Sequence, residues 1–251
     1  KATSPVLKPI RPRPRSLAKS KENQVSIIIS EHSAERKPMK TLNLLLLTLQ
    51  ILFVHPLLAQ DAASYYKSGI AKYDKKDWDG AIADFTKIIE LTPNYAGVYY
   101  NRGRAKKAKG DLDGAITDYT KAIELDPKDV KAYNSRGLAK EAKGDLDGAK
   151  ADYDKAIELN PAYAPAYDNR ALVKCYRKDL EGAIADLDKA IELDPKDANM
   201  YFNRGLPKKV KGDLDGALAD FTKAIELNPK HAPAYEKRGD VKRAKGNLFR
   251  R

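Results

Sequence analysis

Prolines recur every 34 residues along most of this 251-residue chain. The residues between successive prolines repeat in register, so the spacing reflects a repeating structural unit rather than composition alone. A period of 20 to 50 residues is typical of arrays in which one supersecondary unit stacks on the next. The prolines are Pro93, Pro127, Pro161, Pro195 and Pro229, and they define a predicted array over 61–251 with units at 62–95, 96–129, 130–163, 164–197 and 198–231 and a partial unit at 232–251.

Small and apolar residues follow two helical stripes within each unit, whose positions we number 1 to 34. Position 4 is always Tyr and position 8 is usually Gly, whereas position 20 is Ala and position 24 is aromatic or Leu. This spacing predicts two helices, A and B, whose axes approach at the small residues and whose aromatic residues fill the remaining space. Gly-Asp at positions 15 and 16 is expected to end helix A and cap helix B, and Pro at position 32 to follow the end of helix B.

The combined pattern resembles that of the tetratricopeptide repeat (TPR) family from Ala62 to Arg251. An isolated helix pair of this kind cannot bury its apolar face, so neighbouring pairs must stack. The resemblance implies an all-α fold, a right-handed solenoid of antiparallel helix pairs. Two departures stand out, because most units have Lys at position 11 where the family usually has Tyr, and Arg at position 7 where it usually has a large apolar residue. We expect these changes to loosen the packing without changing the fold.

The same resemblance implies that helix A lines a concave groove, and that the protein is a non-enzymatic scaffold that binds a peptide or partner protein there. An Asn side chain can both donate to and accept from a peptide backbone. Asn101, Asn169 and Asn203 are therefore predicted to hold an extended segment, although they can equally be a structural signature of helix A. The predicted partner-binding groove comprises Tyr66, Lys67, Tyr100, Asn101, Arg104, Asn134, Asn169, Phe202 and Asn203.

The first 60 residues have a different composition from the array. Alternating Arg and Pro at 11–15 is incompatible with a helix, so 1–38 is predicted to be a disordered basic leader. The apolar run 42–54 follows Lys40 and precedes a Pro and small residues, which is the layout of a secretory signal peptide over 39–60. Met39 would then be the native start, and 1–38 would not belong to the native protein. The sequence thus predicts an exported protein, periplasmic or secreted, and the alternative is an uncleaved membrane tether through 40–58.

The formal net charge of +12 favours an acidic partner only if the excess lies on the array. Residues 1–60 carry 10 basic and 3 acidic residues, which leaves 37 basic and 32 acidic residues for 61–251. A nucleic-acid binder is therefore a less favoured alternative, which would use basic helix-A residues such as Arg102, Arg104, Lys106 and Lys107. No nucleic-acid partner is expected.

Residues that carry chemistry are sparse. The chain has one cysteine, Cys175, and three widely separated histidines, and its acidic residues recur with the repeat, so no catalytic, metal or cofactor site is predicted. The repeated Gly-Asp-Leu-Asp-Gly lacks the first and last oxygen ligands of a calcium loop. Pro207 lies at position 10 of a predicted helix A, where a kink or a weakened fifth unit is expected.

Overall fold

The computed structural model describes residues 61–248, which form 11 helices and no strand. The predicted leader and signal segment, 1–60, lie outside the described residues. Within the described part, no helix is both long enough and apolar enough to cross a membrane. The helices are α1 (61–74), α2 (Trp78–Leu91), α3 (Ala96–Lys109), α4 (Leu112–Leu125), α5 (Val130–Ala142), α6 (Leu146–Leu159), α7 (Ala164–Tyr176), α8 (Leu180–Leu193), α9 (Ala198–Val210), α10 (Leu214–Leu227) and α11 (Ala232–Leu248).

Consecutive helices pack against one another along the whole array. Odd-numbered helices correspond to helix A of each repeat and even-numbered helices to helix B. Helix A also contacts helix A of the next repeat in the pairs α3–α5, α5–α7 and α7–α9, whereas helices B of neighbouring repeats make less contact. The predicted all-α solenoid of antiparallel helix pairs is confirmed.

The ends of the helices follow from local residue choice. Asp111 caps α4, because its Oδ1 accepts a hydrogen bond from the backbone N–H of Gly114 at 2.9 Å. A Cβ at Gly114 would lie 2.1 Å from Asp111 Oδ2, so Gly at this position leaves room for the cap. Gly110 ends α3 with φ +96°, in the left-handed region that glycine adopts without steric cost. The capping that Gly-Asp predicts is thus confirmed.

The apolar core repeats with the sequence. In the third repeat Tyr153 of α6 is fully buried, and its ring covers Gly137 of α5 so closely that a Cβ there would lie 2.6 Å from the ring. Ala149, one turn earlier on α6, is also fully buried. The small residues at positions 8 and 20 therefore bring the two helices together, and the large residue at position 24 fills the space that remains.

Arg and Lys at positions 7 and 11 form buried ion pairs. Arg136 donates from Nε and Nη2 to the two oxygens of Asp152, at 2.9 and 2.7 Å, and Lys140 Nζ lies 2.8 Å from Asp152 Oδ2. Arg136 also donates from Nη1 to Thr120 of the preceding repeat and lies over the ring of Tyr133. The same arrangement recurs at Arg102–Asp118, Arg170–Asp186 and Arg204–Asp220.

The prediction that Arg at position 7 and Lys at position 11 loosen the packing is therefore wrong, because the aspartate at position 23 pairs with both. Asp152 is only 4% exposed, and it is matched by two cations and a bidentate guanidinium contact. A bidentate contact fixes the orientation of the guanidinium and compensates the charge of the carboxylate. The polar residues therefore pack as specifically as apolar ones. The link joins residues 16 positions apart, in different helices, and Arg136 extends it to the neighbouring repeat.

Helix α9 continues through Pro207 to Val210. The proline ring is among the fully buried groups of the array. The ring also lines the cavity between α7 and α9. The fifth repeat accordingly keeps the same helix pair as the others.

Candidate functional site

The first helices of the repeats lie side by side and form what we call the helix-A surface, made by α1, α3, α5, α7, α9 and α11. Hydrogen bonds between positions 6 and 5 of successive repeats cross this surface. Asn101 Nδ2 donates to the hydroxyl of Tyr66 at 3.1 Å, and Asn169 Nδ2 donates to Asn134 Oδ1 at 2.9 Å. Bonds of this kind join residues 35 apart in sequence, and they connect the second to fifth repeats each to the one before it.

The asparagines are thus partly engaged within the array. Asn101 and Asn134 are 8% and 6% exposed, so little of either side chain reaches the surface. This arrangement supports the structural interpretation of the Asn pattern. Their role in holding a partner backbone stays a prediction, one that is limited to the carbonyl oxygens of the more accessible Asn169 and Asn203.

The other predicted groove residues are not all on the open surface. Tyr66 and Lys67 are exposed on α1. Phe202 is half-buried, and its ring centroid lies 5.7 Å from that of Phe221 and 4.9 Å from that of His231. Phe202 therefore contributes mainly to packing between α9, α10 and the following turn.

A basic and aromatic cavity of about 290 Å³ lies toward the amino-terminal end of the helix-A surface. The Arg104 guanidinium lies 4.6 Å from the ring centroid of Tyr73 and 6.0 Å from that of Tyr100. Lys107 lines the same cavity, and burial lowers the pKa of its ammonium group. Stacking holds the guanidinium in place while its N–H groups stay available, which suits recognition of a carboxylate.

A second cavity, of about 480 Å³, follows along the same surface. It is lined by Lys107, Leu138, Glu141 and Tyr176 among others. Glu141 Oε2 accepts a hydrogen bond from the Tyr153 hydroxyl at 2.8 Å, and burial raises the pKa of the Glu141 carboxyl. The charge on the surface thus changes from cationic to anionic between Arg104 and Glu141.

A third cavity, of about 370 Å³, lies between α7 and α9 and is almost entirely apolar. Leu172 and Val210 at its mouth are 44% and 73% exposed, which is unusual for large apolar side chains. Asp168 and Asn203 form its polar end, where Asn203 Nδ2 donates to Asp168 Oδ1 at 2.8 Å. The remaining wall residues are the apolar Cys175, Leu180, Leu187, Leu206 and Pro207, together with Lys178.

Sequence reasoning missed this cavity. The sequence feature that could have indicated it is the pair Leu172 and Leu206, which both lie at position 9 of helix A in successive repeats. Position 9 is Ile, Arg, Leu or Asp in the other repeats. Only the structure shows that Cys175, Pro207 and Val210 join them around one space. Burial raises the pKa of the Cys175 thiol, so this cysteine is a poor nucleophile there.

Over residues 61–248, no group of three or more His, Cys, Asp or Glu side chains is placed to hold a metal ion. The buried aspartates at position 23 face Arg or Lys instead.

The repeat array matches models of known protein families. Models described as "TPR repeat" match 103–144 and 172–206, and models described as "Tetratricopeptide repeat" match 63–95, 130–163 and 198–231. A crystal structure of MamA protein is 30% identical, with a TM-score of 0.59 over 69% of this chain and 95% of MamA. The chain belongs to the tetratricopeptide repeat family. Members of this family are in general scaffolds for protein–protein interaction and are typically not enzymes.

Two more distant structures share the TPR fold. YrrB, described as a TPR protein with an unusual peptide-binding site, is 22% identical, with a TM-score of 0.56 over 70% of this chain and 90% of YrrB. A tetratricopeptide repeat protein from Parabacteroides merdae ATCC 43184 is also 22% identical, with a TM-score of 0.64 over 76% of each chain. At this identity the similarity shows the fold alone. A search of curated proteins finds no match.

Proposed function

We propose that the TPR array binds an extended segment of a partner protein along the helix-A surface, without catalysis of its own. The observation that carries this proposal is the succession of three cavities along one surface, with volumes of about 290, 480 and 370 Å³. Their chemistry changes from basic and aromatic at Arg104, to acidic at Glu141, to apolar at Leu172. An uneven surface of this kind selects one sequence and one direction of a bound segment.

Anchoring at both ends follows from the side chains present. A carboxylate of the partner would pair with Arg104, whose guanidinium is held by two tyrosine rings. A large apolar side chain would enter the cavity beside Leu172 and remove exposed apolar surface from water, which contributes roughly 25 cal/mol for each Å² buried. Peptide backbone between the two anchors would run past Asn169, whose carbonyl oxygen is the acceptor left by its bond to Asn134.

Nucleic-acid binding is the second candidate, and the ion pairs count against it. Arg102 and Lys106 both contact Asp118, and their side chains are only 16% and 19% exposed. Two of the four basic residues expected to contact phosphate are thus already neutralised. Because nonspecific affinity grows with the number of phosphates neutralised, the two that remain support weak binding at most.

Export remains part of the proposal through the composition of 39–60, with an uncleaved membrane tether as the alternative. Cell fractionation followed by amino-terminal sequencing of the recovered protein separates the two. A soluble extracytoplasmic product that begins near Asp61 supports export with cleavage. A membrane-associated product that retains 40–58 supports the tether, and a cytoplasmic product contradicts both.

The binding proposal is tested by crosslinking the array to its partner with three variants. Arg104→Glu reverses the charge at one anchor, and Leu172→Glu places a charge in the apolar cavity at the other. Neither side chain is fully buried, so we expect both variants to fold. We expect each to reduce recovery of the wild-type partner at least about tenfold. Lys189→Glu, on the opposite helix-B side, is the matched control and should recover the partner normally. Unchanged recovery with both groove variants would contradict the proposal.

The Asn contribution is tested separately. Asn169→Ala combined with Asn203→Ala removes the two accessible carbonyl acceptors. A fall in partner affinity without a change in the urea midpoint supports backbone recognition. A lower midpoint with unchanged affinity shows that the asparagines serve only to join the repeats.

A further inference from the structure

Asp168 differs from the other low-exposure aspartates of the array. Asp118, Asp152, Asp186 and Asp220 each contact an Arg and a Lys. Asp168 is half-buried at the polar end of the apolar cavity, and within the described residues it forms no ion pair. Lys178 lines the same cavity but does not pair with it. The one hydrogen bond of Asp168 there comes from Asn203 to Oδ1, which leaves Oδ2 as an acceptor for a ligand.

A second carboxylate adds to the negative potential at this place. Burial raises the pKa of the Glu141 carboxyl, and the nearby charge of Asp168 raises it further, whereas the Tyr153 hydroxyl and Lys107 lower it. Burial likewise raises the pKa of Asp168, and the charge of Asp197 raises it further, whereas the hydrogen bond from Asn203 lowers it. A cation brought by a ligand would relieve this uncompensated charge, and the low local dielectric would strengthen the pair.

The cavity and the carboxylate together define one ligand chemistry. The space of about 370 Å³ has walls of Leu172, Leu206, Pro207 and Val210, and its only acidic group is Asp168. We propose that this cavity receives a large apolar side chain of a partner segment while Asp168 pairs with an adjacent Lys or Arg of the same segment. The inference rests on the proposed function and names the sequence that its apolar anchor recognises.

Cys175 allows occupancy of the apolar cavity to be measured directly. It is the only cysteine of the chain, and it lies in the cavity wall. A side chain that fills the cavity must shield the thiol. Iodoacetamide alkylation of Cys175, followed by mass spectrometry, therefore reports occupancy of this cavity.

The experiment selects a random 12-residue display library on the full chain and then compares four synthetic peptides. The peptides are identical except for a central Leu-Arg, Leu-Glu, Ser-Arg or Ser-Glu. We expect selection to enrich apolar residues next to Lys or Arg. We expect Leu-Arg to bind at least about tenfold more tightly than the other three, and to slow alkylation of Cys175 by a similar factor at saturation.

Asp168→Asn is the decisive variant, since it keeps the shape and still accepts from Asn203. It should weaken the Leu-Arg peptide about tenfold, and it should not weaken the Leu-Glu peptide, because it removes the repulsion between the two carboxylates. Glu192→Gln, which removes one negative charge at an exposed site, is the control and should change neither. Equal affinity for Leu-Arg and Leu-Glu, or no effect of Asp168→Asn, would overturn the inference.

The outcomes also separate this inference from the broader proposal. Suppose that the selected peptides depend on Arg104 for binding but leave alkylation of Cys175 unchanged. This result would contradict the cavity assignment and would still support binding along the helix-A surface. Failure to enrich any peptide would overturn both.

Discussion

Arg136 connects three elements, since it contacts Asp152 of its own repeat, Thr120 of the preceding repeat and the ring of Tyr133. Removing the guanidinium leaves the buried Asp152 with Lys140 alone. We predict that Arg136→Met lowers the free energy of unfolding by about 3 kcal/mol, at the lower end of the cost of breaking a buried ion pair because Lys140 remains. Urea unfolding followed by circular dichroism measures the loss.

The control is the double variant Arg136→Met with Asp152→Leu. If the cost of the single variant comes from an uncompensated carboxylate, removing that carboxylate as well should restore part of the stability. Strictly additive losses would show instead that Arg136 stabilises mainly through Thr120 and Tyr133.

Asp168 gives a pH-dependent prediction. Burial raises the pKa of this carboxyl in the folded state, so the folded protein binds the proton more readily than the unfolded chain. The wild-type protein therefore loses stability as pH rises from the unfolded pKa through the folded pKa. Asp168→Asn lacks this loss, and we expect it to unfold at a higher urea concentration than wild type at pH 7.

The comparison at low pH is the internal control. Below the unfolded pKa of the carboxyl, near 3.9, Asp168 is protonated in both states, and the advantage of Asp168→Asn should vanish. An advantage of the same size at pH 3 and pH 7 would show that shape rather than charge is responsible. An unfavourable carboxylate that the fold retains is consistent with a binding role at this position.

At the scale of the helix, the ends of α1 and α7 depart from the pattern of the other repeats. Lys76 and Lys178 occupy the turn position with φ of +62° and +63°, where the second, third and fifth repeats have Gly110, Gly144 and Gly212. A left-handed conformation costs a residue with a Cβ roughly 1 kcal/mol. We predict that Lys76→Gly raises the free energy of unfolding of the first repeat by up to about 1 kcal/mol, measured by hydrogen exchange in α1 and α2.

Gly110→Lys is the matched reverse change. A Cβ at Gly110 meets nothing within 4 Å, so any loss must come from the backbone conformation alone. We expect a loss similar in size to the gain from Lys76→Gly. A neutral Gly110→Lys would show that the turn relaxes and that the conformation carries little strain.

The elements also show what the sequence could and could not predict. Helix ends and pairing were accessible, because capping by Asp111 and the small residue at Gly137 are local or repeat with a constant period. The role of Arg136 could not be predicted. Its partner Asp152 lies 16 residues away in another helix, and a charged residue that recurs with the repeat is usually interpreted as part of a solvent-exposed face. The apolar cavity could not be predicted for a different reason. It depends on residues that break the repeat, such as Pro207 and Val210, and only their positions in space bring them together.

At the scale of the whole molecule, stability is transmitted from repeat to repeat, because within residues 61–248 each helix pair contacts only its neighbours. A defect in the third repeat should therefore affect its surroundings more than its distant ends. Gly137→Ala places a Cβ 2.6 Å from the Tyr153 ring, and the overpacking costs about 1 to 3 kcal/mol against a helix-propensity gain of up to about 1 kcal/mol. Overpacking wins, so we predict a net loss.

Gly239→Ala is the same substitution at the same repeat position, but a Cβ there meets only Arg243, at 3.9 Å. It should therefore gain about 0.5 to 1 kcal/mol from helix propensity alone. Hydrogen exchange resolved by helix distinguishes the two variants. Gly137→Ala should accelerate exchange most in α5 and α6, less in α4 and α7, and least at the two ends of the array. Equal acceleration in all helices would mean that the array unfolds as one cooperative block and that nearest-neighbour coupling exceeds the cost of one disrupted repeat.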